Sequence, residues 1–261
     1  MFSVVLPHSK RVVSLPVITF KHVIDLARLQ YAEDTVGLIN YIEREFNIAS
    51  LNCVDKLYII LKARELFFDE EIVLSSKTGN VSIPVYTLIE ALESIDDFTH
   101  TVSVDNIKIC LDIPHVLFNS NTILTDIQSI IKTIDVDEMS INFSQLDQDS
   151  QDKILTTLPS SVFAEIKKYL TSNTMAVTLF KGSSSLPDPI KINLFTSDVF
   201  NFIRYVLSEY TVDNCREIIY HISKRVDSTM LMNSTMLDIK FYLKEYTAEN
   251  KAGDAGNTMP L

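Results

Sequence analysis

Glycine is scarce in this chain, and the little there is lies scattered. Of 261 residues only Gly37, Gly79, Gly182, Gly253 and Gly256 are glycines. Phosphate-binding loops need glycines grouped where backbone approaches an anion, and no Gly-x-Gly-x-x-Gly or Walker pattern can be drawn. That argues against nucleotide chemistry by the common routes. Cysteine is scarcer still: Cys53, Cys110 and Cys215 lie far apart. A zinc site needs close pairs such as Cys-x2-Cys, and none exists. Each cysteine sits among apolar-periodic residues, which predicts buried free thiols in a reducing compartment. His8, His22, His100, His115 and His221 stand singly, without a second His or Cys at ligand spacing. No Gly-x-Ser-x-Gly elbow marks a serine hydrolase.

Positive charge is also sparse. Basic runs stop at the pairs Lys10-Arg11, Lys167-Lys168 and Lys224-Arg225. Nucleic-acid binding leaves a basic footprint because phosphate contacts supply most of the affinity, so no nucleic-acid partner is expected. The formal charge of −11 and the pI near 4.9 favour solubility and suit a basic partner. The longest wholly apolar run is Leu57 to Leu61, far below the ~20 residues needed to span a bilayer. At the N-terminus, MFSVVLPHSKRVVSLP places Pro7 inside the apolar part and the basic pair after it, the wrong order for a secretory signal. Cytosol-like solvent and no membrane partner follow as expectations.

What remains is a chain able to bury a large core. Its 46% hydrophobic and 22% charged fractions are ordinary for a globular protein, and a chain of this size buries roughly 73% of its unfolded surface. FSVVLP and RVVSLPVIT read as an edge hairpin. Thr19, Asp34 and Asn52 are each suited to cap a helix. The third of these helices, NCVDKLYIILKARELFFDEE, is apolar nearly all round from Val54 to Ala63, which predicts a central buried helix. EIVLSS and VSIPV then form a hairpin around Thr78-Gly79-Asn80, and a short helix, YTLIEALESI, follows. Val104, Ile107, Ile109, Leu111 and Ile113 read as one strand ended by Pro114. Asn119–Asn121 are suited to cap a helix bearing Ile123, Ile127, Ile130, Ile131 and Ile134. Helices near 151–158 and 161–170, a hairpin of AVTLF with PIKINLF, and three closing helices complete the pattern. The expected fold is α+β and predominantly helical. Its expected division is an N-terminal α+β part at 1–118, a helical part with a short hairpin at 119–248, and a flexible tail at 249–261.

The carboxylates Asp69, Glu70 and Glu71, with Asp96 and Asp97 downstream, could hold Mg²⁺ or supply an acid/base pair. The plainer reading is a solvated helix end and a turn. Leu66-Phe67-Phe68 and the group Phe195, Phe200, Phe202 are candidates for an exposed apolar interface, against the plainer reading of core.

The element order resembles that of the baseplate hub and hub-assembly proteins of T-even-type contractile-tailed phages. Its carriers are Leu51–Glu71, Glu71–Val85 and Asn106–Pro114, followed by LTTLPSSVFAEIKKYL, FNFIRYVLSEY and YHISKRV. Together they span about Phe2 to Glu245. Some members of that family carry paired cysteines between the two strands. Here Ser75–Asn80 has no thiol, so no zinc is carried over and no cofactor is expected. The resemblance implies a non-enzymatic late protein, either a minor hub subunit or an assembly chaperone. Its partners would be other baseplate hub proteins and the tape-measure protein, in the host cytoplasm during assembly or in the virion. The residues alone leave two alternatives open: a metal-dependent enzyme using the Asp69–Glu71 and Asp96-Asp97 carboxylates, and an acidic host-directed binding protein.

Overall fold

The computed structural model describes residues 2–76, 79–95, 100–115, 117, 123–171, 176–181, 189–194, 196–207 and 209–255. The chain opens with an antiparallel hairpin, β1 (Ser3–Val5) and β2 (Val12–Ser14), in the register Val4↔Val13. Val4 and Val13 pack on the core, while Val5 and Val12 face solvent.

Three helices follow, each started by the residue its sequence suggests. Thr19 begins α1 (Phe20–Tyr31), Asp34 begins α2 (Thr35–Glu45) and Asn52 begins α3 (Cys53–Phe67). Asp34 Oδ1 accepts the Gly37 N–H at 2.8 Å, and Asn52 Oδ1 accepts the Asp55 N–H at 2.9 Å. At α1 the partner is less usual: His22 Nδ1 accepts the Thr19 N–H at 3.1 Å, filling the place that Glu or Gln takes in a capping box.

Every residue of α3 except Lys62, Glu65 and Leu66 is buried. The helix is the central buried helix expected, and Leu57, Ile59, Ile60 and Leu61 each contribute about 1.5–3 kcal/mol by leaving water. Next comes the antiparallel pair β3 (Glu71–Ser76) and β4 (Gly79–Pro84), aligned Ile72↔Ile83 and Val73↔Ser82. Ile72 and Ile83 are buried, and Val73 points outward. α4 (Val85–Glu93) leaves Pro84 directly and packs on α3, where the Tyr58 hydroxyl donates to Glu93 at 2.9 Å.

Two sequence expectations fail in the next stretch, for identifiable reasons. The single strand expected from Val104 to Ile113 is a hairpin, β5 (His100–Val104) and β6 (Ile107–Leu111), turned at Asp105-Asn106. Asp105 takes φ = 52°, a left-handed conformation that Asp tolerates better than most residues, so the turn needs no glycine. The helix expected through Ile134 ends at Ile130. It comprises only α5 (Ile123–Ile130), and β7 (Ile131–Val136) continues without a break. In the pairing of β6 with β7, Leu111 faces Ile131 and Cys110 faces Thr133, leaving Lys132 as an extra residue. This bulge lets Ile131 and Ile134, three residues apart, both face the core, which imitates a helical period. The proposed cap at Asn119–Asn121 lies outside the described residues.

A turn at Asp137-Glu138 returns β7 into β8 (Met139–Ile141), giving a four-stranded antiparallel sheet in the order β5-β6-β7-β8. This sheet takes two strands from before the boundary expected at 118/119 and two from after it. A 3₁₀ turn at Phe143–Gln145 leads into α6 (Gln148–Thr157) and α7 (Ser160–Thr171). The expected second hairpin is β9 (Ala176–Phe180) with β10 (Ile190–Asn193).

Four helices close the chain: α8 (Asp198–Leu207), α9 (Val212–Ile222), α10 (Ser228–Asn233) and α11 (Met236–Ala255). The short α10, capped by Asp227, was not expected. Helix α11 runs through the first seven residues of the expected 249–261 tail, where Glu249, Lys251, Ala252 and Ala255 are good helix formers. Residues 256–261 lie outside the described residues. Thr19 bridges Thr235, and the Phe20 N–H donates to the Ser234 carbonyl at 2.8 Å, so the start of α11 is tied to the start of α1. With 53% helix, 20% strand and small antiparallel sheets, the fold is α+β and predominantly helical.

Candidate interaction surface

The chemistry-bearing residues of α3 are spent on the fold. Asp55 is fully buried, and its carboxylate accepts the N–H groups of His8 and Ser9, both at 3.1 Å, and the Asn52 amide at 3.0 Å. It pins the turn of the β1–β2 hairpin. Lys56, also fully buried, donates to Glu43 of α2 and to the His115 carbonyl. Arg64 is 3% exposed; it donates to the Val206 carbonyl at 2.6 Å, the Glu71 carbonyl at 2.9 Å and Glu209 Oε2 at 2.8 Å. Its guanidinium also lies 4.7 Å from the centre of the Phe68 ring. One helix therefore fastens the N-terminal hairpin, α2, the segment after β6, β3 and the end of α8. Burial pushes the Cys53 thiol up to about 12 and raises that of Cys215, which disfavours the reactive thiolate at both, while Cys110 is half-buried rather than buried as expected.

Among the described residues, the acidic candidates Asp69 and Glu71 engage separate partners. Asp69 engages Lys240 of α11 and accepts the Glu71 N–H at 3.2 Å. Partial burial pushes its pKa up, but the hydrogen bond and charge of Lys240 outweigh that and hold it below the usual carboxylate range. Glu71 accepts from the Ser82 hydroxyl across the β3–β4 pair. Glu70 is exposed, and Asp96 and Asp97 lie outside the described residues. Among the described residues, no group of three or more His, Cys, Asp or Glu is placed to hold a metal ion.

The apolar candidates separate cleanly. Phe67, Phe68 and Phe200 are core, and Leu66 is half-buried. Phe195 lies outside the described residues. Of the described members of the group, Phe202 reaches a surface groove. The buried stripe of α8 is Val199, Phe200, Ile203, Val206 and Leu207. Phe202 and Tyr205 fall out of phase with it and face a groove of about 330 Å³ bounded by Ile190 and Ile192 of β10. Asp198 and Asn201 line the same groove. Tyr205 is 42% exposed, and its hydroxyl donates to the Val73 carbonyl. The Glu71 carbonyl, two residues earlier on β3, takes Arg64. The outward edge of β3 is thus covered by side chains rather than by another strand, which blunts its tendency to pair.

No family model, curated protein or solved structure matches this chain. Among the described residues, no helix is long and apolar enough to cross a membrane.

Sequence reasoning missed Tyr205 as a surface residue, and Ile190 and Ile192 as the half-buried and buried parts of the groove wall. For Tyr205 a signal existed: two aromatics, Phe202 and Tyr205, stand off the apolar stripe of their helix. Ile190 and Ile192 gave none, because alternating isoleucines read the same in a core strand and in a groove wall.

Proposed function

We propose that this chain is a non-enzymatic assembly protein of a contractile-tail baseplate. It acts as a minor hub subunit, or as a chaperone while hub and tape-measure proteins come together. The observation that carries this reading is the groove along α8, where Tyr205 and the partly buried Phe202 and Ile190 present apolar surface above the buried Ile192, beside the polar rim residues Lys191, Asp198 and Asn201. An apolar centre with a polar rim is the anatomy of a protein-binding patch. The element-order resemblance across Phe2 to Glu245 supplies the identity of the partners. The ionic groups of α3 support a binding role over catalysis, since each is committed to a structural contact.

Co-expression with the hub and tape-measure proteins, followed by size-exclusion chromatography, tests the reading. The wild-type chain should co-elute with at least one of them, and Phe202→Ser should release it while leaving the circular dichroism spectrum unchanged. Absence of co-elution with either partner would sink the proposal. Mass spectrometry of purified virions then separates a resident subunit from a departing chaperone.

A further inference from the structure

Three helices of this chain start on a threonine whose own N–H is taken by the side chain three residues on. The acceptor is His22 at α1, Asn214 at α9 and Asp238 at α11, at 3.1, 3.1 and 2.9 Å from Thr19, Thr211 and Thr235 respectively. Of these three groups the imidazole is the one that changes charge near neutral pH. Thr19 and Thr235 also form the antiparallel bridge that joins the starts of α1 and α11, beside the bond from the Phe20 N–H to the Ser234 carbonyl. Ile18, Phe20 and Met236 flank the bridge and are fully buried. One joint therefore holds two helix starts, one closed by a carboxylate and the other by an imidazole. His22 Nδ1 accepts the Thr19 N–H, and the Thr19 hydroxyl lies 2.8 Å from the same nitrogen. An N–H can only donate, so the neutral ring keeps its proton on Nε2. Nε2 faces Glu45 of α2 at 3.9 Å, and the other oxygen of Glu45 holds Arg44 at 2.8 Å. Lys21 and Asp25 on α1 are the other charges acting on the ring; α9 and α10, which also pack on α1, add none among the described residues. Asp238, across the bridge, is engaged by Thr235.

We propose that His22 is an acid-sensitive latch on the joint between α1 and α11. While neutral, the ring closes the start of α1 and holds Thr19 in place against Thr235. A second proton goes to Nδ1 and sets donor against donor at the Thr19 N–H. It also puts a positive charge at a helix N-terminus, where the macrodipole opposes it. The charged ring then leaves Thr19 for Glu45, and the bridge to α11 opens. Burial holds the His22 pKa below its ordinary value of 6.5, against the opposing pull of Glu45 and Asp25. The opened joint, with the ring in water, binds the proton more readily than the closed one. Acid therefore favours opening, and the effect sets in as pH falls below about 6.5. The latch does not rest on the assembly reading.

The test follows backbone hydrogen exchange of the full chain by NMR from neutral to mildly acidic pH, with protection corrected for the intrinsic pH dependence of exchange. The amides to watch are Phe20, bonded to Ser234, and Val23, bonded to Thr19. Their protection should fall by up to about tenfold per pH unit below about 6.5, the limit for one linked proton. At the acid end they should exchange at least about tenfold faster than the amides of β6, which need wider unfolding. His22→Gln keeps an acceptor for the Thr19 N–H without titrating and should abolish the fall. Glu45→Gln removes the second partner of the ring and should move the onset to lower pH. The neutral imidazole should show the Nε2-protonated tautomer in its nitrogen NMR spectrum. Protection of Phe20 that stays flat with pH, keeps pace with β6, or falls equally in His22→Gln would overturn the latch. So would a neutral ring protonated on Nδ1, or an unchanged onset in Glu45→Gln.

Discussion

Replacing Arg64 by Met removes every donor at the junction of α3, β3 and α8 while keeping a long apolar side chain in place. Two backbone carbonyls, of Val206 and Glu71, lose their side-chain donor. A buried acceptor left unsatisfied costs about 1–3 kcal/mol. The Val206 site lies deep and the Glu71 site nearer the surface, so together they should cost about 3 kcal/mol. Glu209 is 40% exposed, so unpairing it should add less than about 1 kcal/mol. Loss of the contact with the Phe68 ring adds about 0.5–1 kcal/mol, and relief of guanidinium desolvation offsets a similar amount. The net expectation is a destabilisation of about 3 kcal/mol, read as a lower urea midpoint at unchanged slope. Arg64→Lys should recover about half, because one ammonium cannot reach all three acceptors of the guanidinium fork. Glu209→Gln should cost below about 1 kcal/mol. A loss under about 1 kcal/mol for Arg64→Met, or an equal loss for Glu209→Gln, would refute the assignment of the carbonyls as the main acceptors.

Three further perturbations follow from the same geometry. Asp55→Ala should free the N-terminal hairpin, removing hydrogen-exchange protection at Val4 and Val13 while β6 stays protected, at a cost of about 2–3 kcal/mol; retained protection there would show that the hairpin does not depend on Asp55. His22 carries a pKa below the ordinary value of 6.5, lowered by burial and only partly offset by Glu45 and Asp25. The unfolded chain then takes the proton first, so stability should fall as pH drops below about 6.5. His22→Gln keeps an acceptor for the Thr19 N–H and should lose that part of the slope, whereas parallel pH curves for the two proteins would discount His22. At the β5–β6 turn, Asp105→Gly should leave stability unchanged or raise it by up to about 1 kcal/mol, and Asp105→Val should lower it by about 1–2 kcal/mol; thermal midpoints in the opposite order would contradict the left-handed turn.

The parts of this fold that could be read from sequence are the locally determined ones. Asp34 and Asn52 announce helices because each cap and the N–H it accepts are three residues apart, and Thr19 does so because its own N–H meets the His22 ring at the same spacing. The buried character of α3 is equally local, since apolar residues occupy nearly all its faces. Ile131 and Ile134 misled because the bulge at Lys132 puts a strand on a spacing of three, and the Asp105-Asn106 turn hid because it lacks the usual glycine. Asp55 stands in the first turn of α3, where its charge suits the helix dipole, but its larger role reaches back to His8 and Ser9. Asp69 read as part of a solvated helix end, whereas its partner is Lys240, 171 residues later. Arg64 meets Val206 and Glu209 at separations of 142 and 145 residues, beyond any local pattern. The surface groove was half legible, through the two aromatics of α8 that leave its apolar stripe.

Hydrogen–deuterium exchange of the chain, alone and in complex with the co-expressed hub or tape-measure partner, tests the assembly role most directly. Slowed exchange should centre on Ile190–Asn193 and Asp198–Leu207, with α1 and α2 unchanged. A complex whose protection falls on other elements while α8 exchanges as in the free chain would contradict that role for the groove.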